Sequence, residues 1–253
     1  MPSRRESRVG AFFDMDKTLI AENSGSLYMK HRYEQGEIDG WELTKGALAY
    51  LRYKAGLLDI AAWTRQAMLQ FEGESEAELD RQADAWTVDK VVRHVYPEAR
   101  EAVRWHQAQG HVVAIVSGAT RFVVGPLAKH LGIDHFLYTR LEVLDGRFTG
   151  QVIEPVCFER GKIHWLEQLV DDQHIDLARS WFYTDSITDL PLLELVGHPV
   201  VTNPDPRLYR EAARRRWPVR FFQPPEAAEA AQPETPRAAS APSRRRRSSG
   251  ARR

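Results

Sequence analysis

Two carboxylates and a hydroxyl stand within five residues, Asp14-Met15-Asp16-Lys17-Thr18, directly behind the apolar run Arg8-Val9-Gly10-Ala11-Phe12-Phe13. Such a run reads as a buried strand that stops where the acids begin. Burying two carboxylates without a task is expensive, so a function is the simpler explanation. Acids this close can divide labour: one stays ionised on a cation, and the other, away from the metal, takes up a proton and donates it. Those are the needs of a nucleophile and a general acid. A second acidic pair lies in Thr184-Asp185-Ser186-Ile187-Thr188-Asp189. Magnesium favours oxygen ligands and commonly uses one or two carboxylates, a need that Asp14 and Asp185 fit. Lys162 follows Gly161 at the opening of a helical stretch, and Ser117-Gly118 follows another apolar run. Both can bring donors to an anion held at the same edge. Taken singly, each of these residues is a weak signal.

The elements that must carry them alternate. After the first run, strand-like segments recur at 111–116, 181–184 and 199–202. Between them the pattern predicts helices over 97–109, opened by Pro97 and closed by Gly110, over 121–131, closed by Gly132, and over 161–170. This alternation implies an α/β fold with a parallel sheet covered on both faces and ligands at the carboxyl ends of its strands. Three of the four runs end in a group able to do chemistry: Asp14, Ser117 and Asp185. Two stretches interrupt the order. Residues 23–96 are helical in pattern and read as an inserted bundle, with Trp41, Trp63 and Trp86 expected in its core. In 141–153, Asp145-Gly146 between two β-like flanks predicts a hairpin.

In this order and context the residues closely resemble the four motifs of the haloacid dehalogenase (HAD) superfamily. The first motif is Phe12-Phe13-Asp14-Met15-Asp16-Lys17-Thr18-Leu19, the second Ile115-Val116-Ser117-Gly118, the third Arg160-Gly161-Lys162, and the fourth Asp185-Ser186-Ile187-Thr188-Asp189. The resemblance covers roughly residues 9–222. It implies a Rossmann-like parallel sheet, with 9–22 and 97–222 as the core domain, 23–96 as a helical cap and the hairpin as a small addition. An aspartate at both acidic positions of the first motif matches the phosphatases of that superfamily. The helical insert and Thr202-Asn203-Pro204-Asp205-Pro206 resemble its phosphoserine phosphatase-like branch, subfamily IB. The roles so implied are Asp14 as nucleophile, passing through an aspartyl-phosphate, and Asp16 as general acid and base. Mg2+ is expected on the carboxylates of Asp14 and Asp185 and the main-chain carbonyl of Asp16. Thr18, Ser117, the Gly118 amide and Lys162 are expected on the phosphate, with Asp189 orienting Lys162. One departure bears on substrate. Phosphoserine phosphatases usually carry a glutamate nine positions after the nucleophile, to meet the substrate ammonium; that position is Asn23, with Glu22 before it. Lys17 also stands where serine is often found.

Composition sets the remaining bounds. The formal charge is zero over 253 residues, but residues 223–253 carry seven arginines against three glutamates, leaving the body acidic. A body of that sign must bind phosphate locally, through aimed donors and a metal. The stretch 223–253, rich in Pro, Ala, Ser and Arg, reads as a disordered, solvated tail rather than a nucleic-acid site, and 1–8 as a flexible start. Cys157 is the single cysteine, which excludes an intrachain disulfide and a cysteine-based zinc cluster. No apolar run is long enough to span a bilayer and the first residues are polar and basic, so the cytoplasm is the expected compartment. The expected partner is a small phosphorylated metabolite. Hydrolysis of its ester competes with two other readings: phosphoryl transfer to an alcohol, and non-enzymatic binding through the basic tail.

Overall fold

The computed structural model describes residues 7–54 and 57–225. The expected disordered tail therefore lies almost wholly outside the described residues, as do the first six positions. A seven-stranded sheet runs through the centre in the order β4-β3-β2-β1-β5-β6-β7. Its strands are β1 (Gly10–Phe13), β2 (Val112–Thr120), β3 (His135–Leu144), β4 (Arg147–Ile153), β5 (Trp181–Thr184), β6 (His198–Thr202) and β7 (Val219–Arg220). All neighbours pair in parallel except β3 with β4. β1 is the central strand, and the chain leaves it toward β2 on one side and is met by β5 on the other. A crevice opens at such a reversal of strand order, beyond the carboxyl ends.

Each sheet face has its own core, and the pleat sorts residues between them. Phe13, Val113 and Ile115 face α5 (Pro97–Ala108) and α6 (Arg121–Leu131). Phe12, Ala114 and Phe182 face the opposite layer, α7 (Arg160–Gln173), α8 (Leu190–Leu193) and α9 (Pro206–Arg215). Strands buried on both faces are continuously apolar, as the expected first run is. α5 opens on Pro97 and α6 closes on Gly132, whose φ of 67° supplies the left-handed stop.

The segment between β1 and β2 holds α1 (Ser24–Glu34), α2 (Gly40–Lys54), α3 (Ile60–Met68) and α4 (Glu76–Trp86). Asn23, Asp59 and Ser75 cap α1, α3 and α4 with side-chain acceptors. The expectation that its tryptophans are core holds for Trp86 alone. Trp41 is 65% exposed and Trp63 43% exposed, because α2 and α3 present one face to solvent.

The hairpin forms at Asp145-Gly146, both with positive φ, but it is the far half of a longer strand. The near half of β3, from His135, pairs in parallel with β2. That half, and the two-residue β7, were not expected from the sequence.

Below the sheet, on α5, the fully buried His106 is held by the Tyr183 hydroxyl at 3.0 Å and the His111 ring at 2.8 Å. Burial pushes its imidazole down to about 3. The unfolded ring titrates near 6.5 and so binds more protons than the folded one between those values. Its contribution to stability is thus complete above about pH 6.5 and lost as pH falls below it. The melting temperature of the wild type is expected to drop more between pH 7.5 and 5 than that of His106→Gln; equal drops would contradict this.

Candidate active site

The site gathers at the carboxyl ends of β1, β2 and β5. The Asp14 amide donates to the Tyr183 carbonyl at 2.9 Å, so β1 and β5 remain paired up to the point where Asp14 and, one step further along β5, Asp185 emerge. Both are buried. Beyond Asp14 the chain turns back on itself: Lys17 takes a left-handed φ of 62°, and the amides of Thr18, Leu19 and Ile20 all donate to the Met15 carbonyl. This turn holds Asp14, Asp16 and Thr18 at one mouth.

Lys162 is the hub. Its ammonium, on the first turn of α7, donates to Asp14 Oδ1 at 2.6 Å and Asp189 Oδ2 at 2.8 Å, with all three side chains almost wholly enclosed. Burial alone would lower the ammonium's pKa, but the two carboxylates more than offset this and hold it above the ordinary lysine range. Asp14 is raised as well, but here burial is the cause, pushing it up to about 7 against the pull of Lys162. Asp189 is braced further by the Thr184 hydroxyl at 2.6 Å.

Asp16 is half-buried and belongs to a different network. It accepts from the Asn23 amide at 2.9 Å and from the Ser24 amide and hydroxyl at 3.0 and 3.1 Å. Desolvation raises it to about 6 despite the Ser24 donors. The two acids of the first motif thus stand in separate settings, one on an ammonium and one on neutral donors.

Ser117 is buried near the end of β2, and its Oγ accepts from the Ala119 amide at 3.1 Å. The Gly118 carbonyl takes the Thr139 hydroxyl at 2.8 Å, and that hydroxyl also accepts from the Cys157 amide at 3.3 Å. Thr18 is fully enclosed, and its Oγ1 has no protein partner, a state that a ligand oxygen would relieve. Cys157 is buried behind the site, and burial pushes its thiol up to about 12, which suits a small core residue and not a nucleophile.

The contacts of several neighbours with the site acids were missed from sequence, although Asn23 and Asp205 were themselves noted there. Asn23 and Ser24 hold Asp16, and the signal available was an N-cap pattern. Asp205 caps α9 while its Oδ2 accepts from the Ile187 amide at 2.8 Å and its amide donates to the Asp185 carbonyl at 2.8 Å, so it fixes the loop that carries Asp185. Tyr50, from α2, stands within electrostatic reach of Lys17, Asp185, Asp16 and Glu22, which only the packing of the insert could reveal. Lys17 itself binds the Ala21 carbonyl at 2.6 Å and Glu22 at 3.3 Å.

A model of the haloacid dehalogenase-like hydrolase family matches residues 11–194, a span containing Asp14, Asp16, Ser117, Lys162, Asp185 and Asp189. The chain belongs to the haloacid dehalogenase-like hydrolase family. This HAD hydrolase is 34% identical over 222 residues to a probable phosphatase of Mycobacterium tuberculosis, covering 87% of this chain and 77% of that protein. It is 33% identical over 218 residues to a histidinol-phosphatase of Neisseria meningitidis, covering 84% of this chain and 98% of the other. Among solved structures, a Bordetella pertussis protein of unknown function is 30% identical and superposes with a TM-score of 0.76 over 85% of this chain and 98% of that one. The HAD hydrolase is accordingly an enzyme of the phosphatase kind, a phosphoric monoester hydrolase.

Gly161 is what lets Lys162 reach the acids. A Cβ there would meet the Val156 carbonyl oxygen at 1.9 Å, an overlap only backbone movement can relieve. Gly161→Ala is expected to destabilise the enzyme by about 1–3 kcal/mol and to cut activity by displacing Lys162. A denaturation midpoint and turnover equal to wild type would contradict this.

Proposed function

We propose that this phosphatase is a magnesium-dependent hydrolase of the subfamily IB type that removes phosphate from a small metabolite through an aspartyl-phosphate on Asp14. The observation that carries the reading is the contrast in setting between the two first-motif acids. Asp14, held by the Lys162 ammonium at 2.6 Å, suits a group that must be ionised to attack. Asp16, on the neutral donors of Asn23 and Ser24, suits one that exchanges a proton; burial raises both acids, Asp14 to about 7 and Asp16 to about 6, so the contrast lies in their partners.

In the first half, an Asp14 oxygen forms a bond to phosphorus as the bond to the ester oxygen breaks, and Asp16 gives its proton to the departing alkoxide. In the second half, Asp16 takes a proton from water, the resulting hydroxide bonds to phosphorus, and the Asp14 carboxylate leaves. Lys162, Ser117, Thr18 and the Gly118 amide are the donors for the phosphate oxygens, where charge is spread in the transition state. Thr18 Oγ1, buried without a partner, supports this assignment.

The donor set also fits a divalent cation. Asp14, Asp16, Asp185 and Asp189 stand against Lys162 and Lys17, an excess of negative charge in a largely buried crevice. Among the described residues no three acidic, histidine or cysteine side chains form a cage of their own. Magnesium does not require one, because it keeps several waters and takes one or two carboxylates. The carboxylates of Asp14 and Asp185 and the Asp16 carbonyl would hold it. When bound, it would offset the repulsion between an anionic nucleophile and an anionic ester.

Residues 23–96 act in this reading as a cap that limits water at the site, with 9–22 and 97–222 as the core; Asn23 and Ser24 touch Asp16 directly and Tyr50 lies within electrostatic reach of Asp16 and Asp185. For substrate, similarity to a histidinol-phosphatase over nearly its full length favours a phosphorylated amino alcohol. The amide at Asn23 removes the carboxylate that usually meets the phosphoserine ammonium, so an ammonium on this substrate would have to be met elsewhere in the insert. No helix among the described residues is long and apolar enough to cross a membrane.

Phosphate release is to be measured over a panel including histidinol phosphate, phosphoserine and phosphocholine, with magnesium and with EDTA. Magnesium-dependent release is expected, greater from histidinol phosphate than from phosphoserine, with Asp14→Asn at least about a thousandfold slower. Release undiminished in Asp14→Asn or in EDTA would overturn the mechanism, and a preference for phosphoserine would overturn the substrate assignment.

A further inference from the structure

We infer that Asn23 is a positioning residue for the acid–base Asp16, and that its amide is required because it must accept at one end and donate at the other. The inference rests on the proposed role of Asp16. Asn23 caps α1: its Oδ1 accepts from the Ser26 amide at 2.9 Å and the Ser26 hydroxyl at 3.1 Å. A backbone amide can only donate, so that contact fixes which end of the side chain is oxygen. Nδ2 is thereby turned onto Asp16 Oδ2 at 2.9 Å. The next residue completes the grip, with the Ser24 amide on Oδ1 at 3.0 Å and the Ser24 hydroxyl on Oδ2 at 3.1 Å.

Residue type is decided by this double duty. Aspartate would keep the cap but set an acceptor against an acceptor; serine would cap but is too short to span both partners. Alanine would lose both bonds. The same geometry accounts for the departure at this position, since an amide occupied by Asp16 and the α1 terminus is not offered to a substrate ammonium.

The consequence is chemical. Asp16 has to place its proton on the leaving oxygen as the P–O bond breaks, and then accept one from water. Donors on both of its oxygens fix the plane of the carboxylate between those events. These donors ride on the first turn of α1, so the aim of the general acid is set by the insert and not by β1.

The test exploits leaving-group basicity. A p-nitrophenolate departs with little help from a proton, whereas a phenolate needs one. Asn23→Asp, Asn23→Ala and Asp16→Asn are to be compared with wild type on p-nitrophenyl phosphate and phenyl phosphate in magnesium. Asn23→Asp is expected to lower kcat on phenyl phosphate at least about tenfold and on p-nitrophenyl phosphate less than about threefold, with KM within about twofold. Asp16→Asn is expected to show the same pattern more strongly. Asn23→Asp retains the cap, so a purely structural role leaves it like wild type on both esters; that result, or equal losses on both, would overturn the assignment. If Asp16→Asn itself shows no leaving-group preference, the underlying role of Asp16 fails as well.

Discussion

An ammonium shared by two buried carboxylates sits at the centre of this molecule. Removing Lys162 from water is costly, and the bonds to Asp14 and Asp189 at 2.6 and 2.8 Å offset that cost. The requirement propagates outward. β1 and β5 must be neighbours so that acids from positions 14, 185 and 189 reach one place. α7 must begin directly over them, which in turn requires that Gly161 lie against the Val156 carbonyl. Thr184 and Asp205 then hold the loop that carries Asp185 and Asp189 from behind. The fold can be understood as the frame that keeps this pairing intact while leaving Asp16 free of it.

Much of that frame was legible in the sequence. Apolar runs buried on both faces, ended by Asp14, Ser117 and Asp185, identify the strands of a covered parallel sheet. Pro97, Gly110 and Gly132 mark helix ends through constraints on φ that need no tertiary context. The near half of β3 escaped notice because His135 to Arg140 mixes aromatic and polar residues, and its strand character comes from pairing with β2. β7 is two residues long and exists by attachment to β6.

The site was legible in part, for a physical reason. The motif acids, Ser117 and Lys162 announce themselves by residue type at strand and helix ends. The residues that orient them do not: Asn23, Thr184 and Asp205 are ordinary capping or turn residues whose second hydrogen bond crosses to a distant segment or back to an acid. Tyr50 is harder still, since its electrostatic reach to the acids depends on how α2 lies. The expectation that Trp41 and Trp63 are core failed because α2 and α3 leave one face uncovered.

The central claim is that Asp14 itself carries the phosphoryl group during turnover. The most direct measurement is to quench the enzyme with borohydride while it turns over p-nitrophenyl phosphate in magnesium, and to map the digest by mass. An acyl phosphate is reduced to the alcohol, so the account requires homoserine at position 14, absent without substrate. Phosphate found on a histidine, or reduction at another carboxylate with position 14 unchanged, would contradict it.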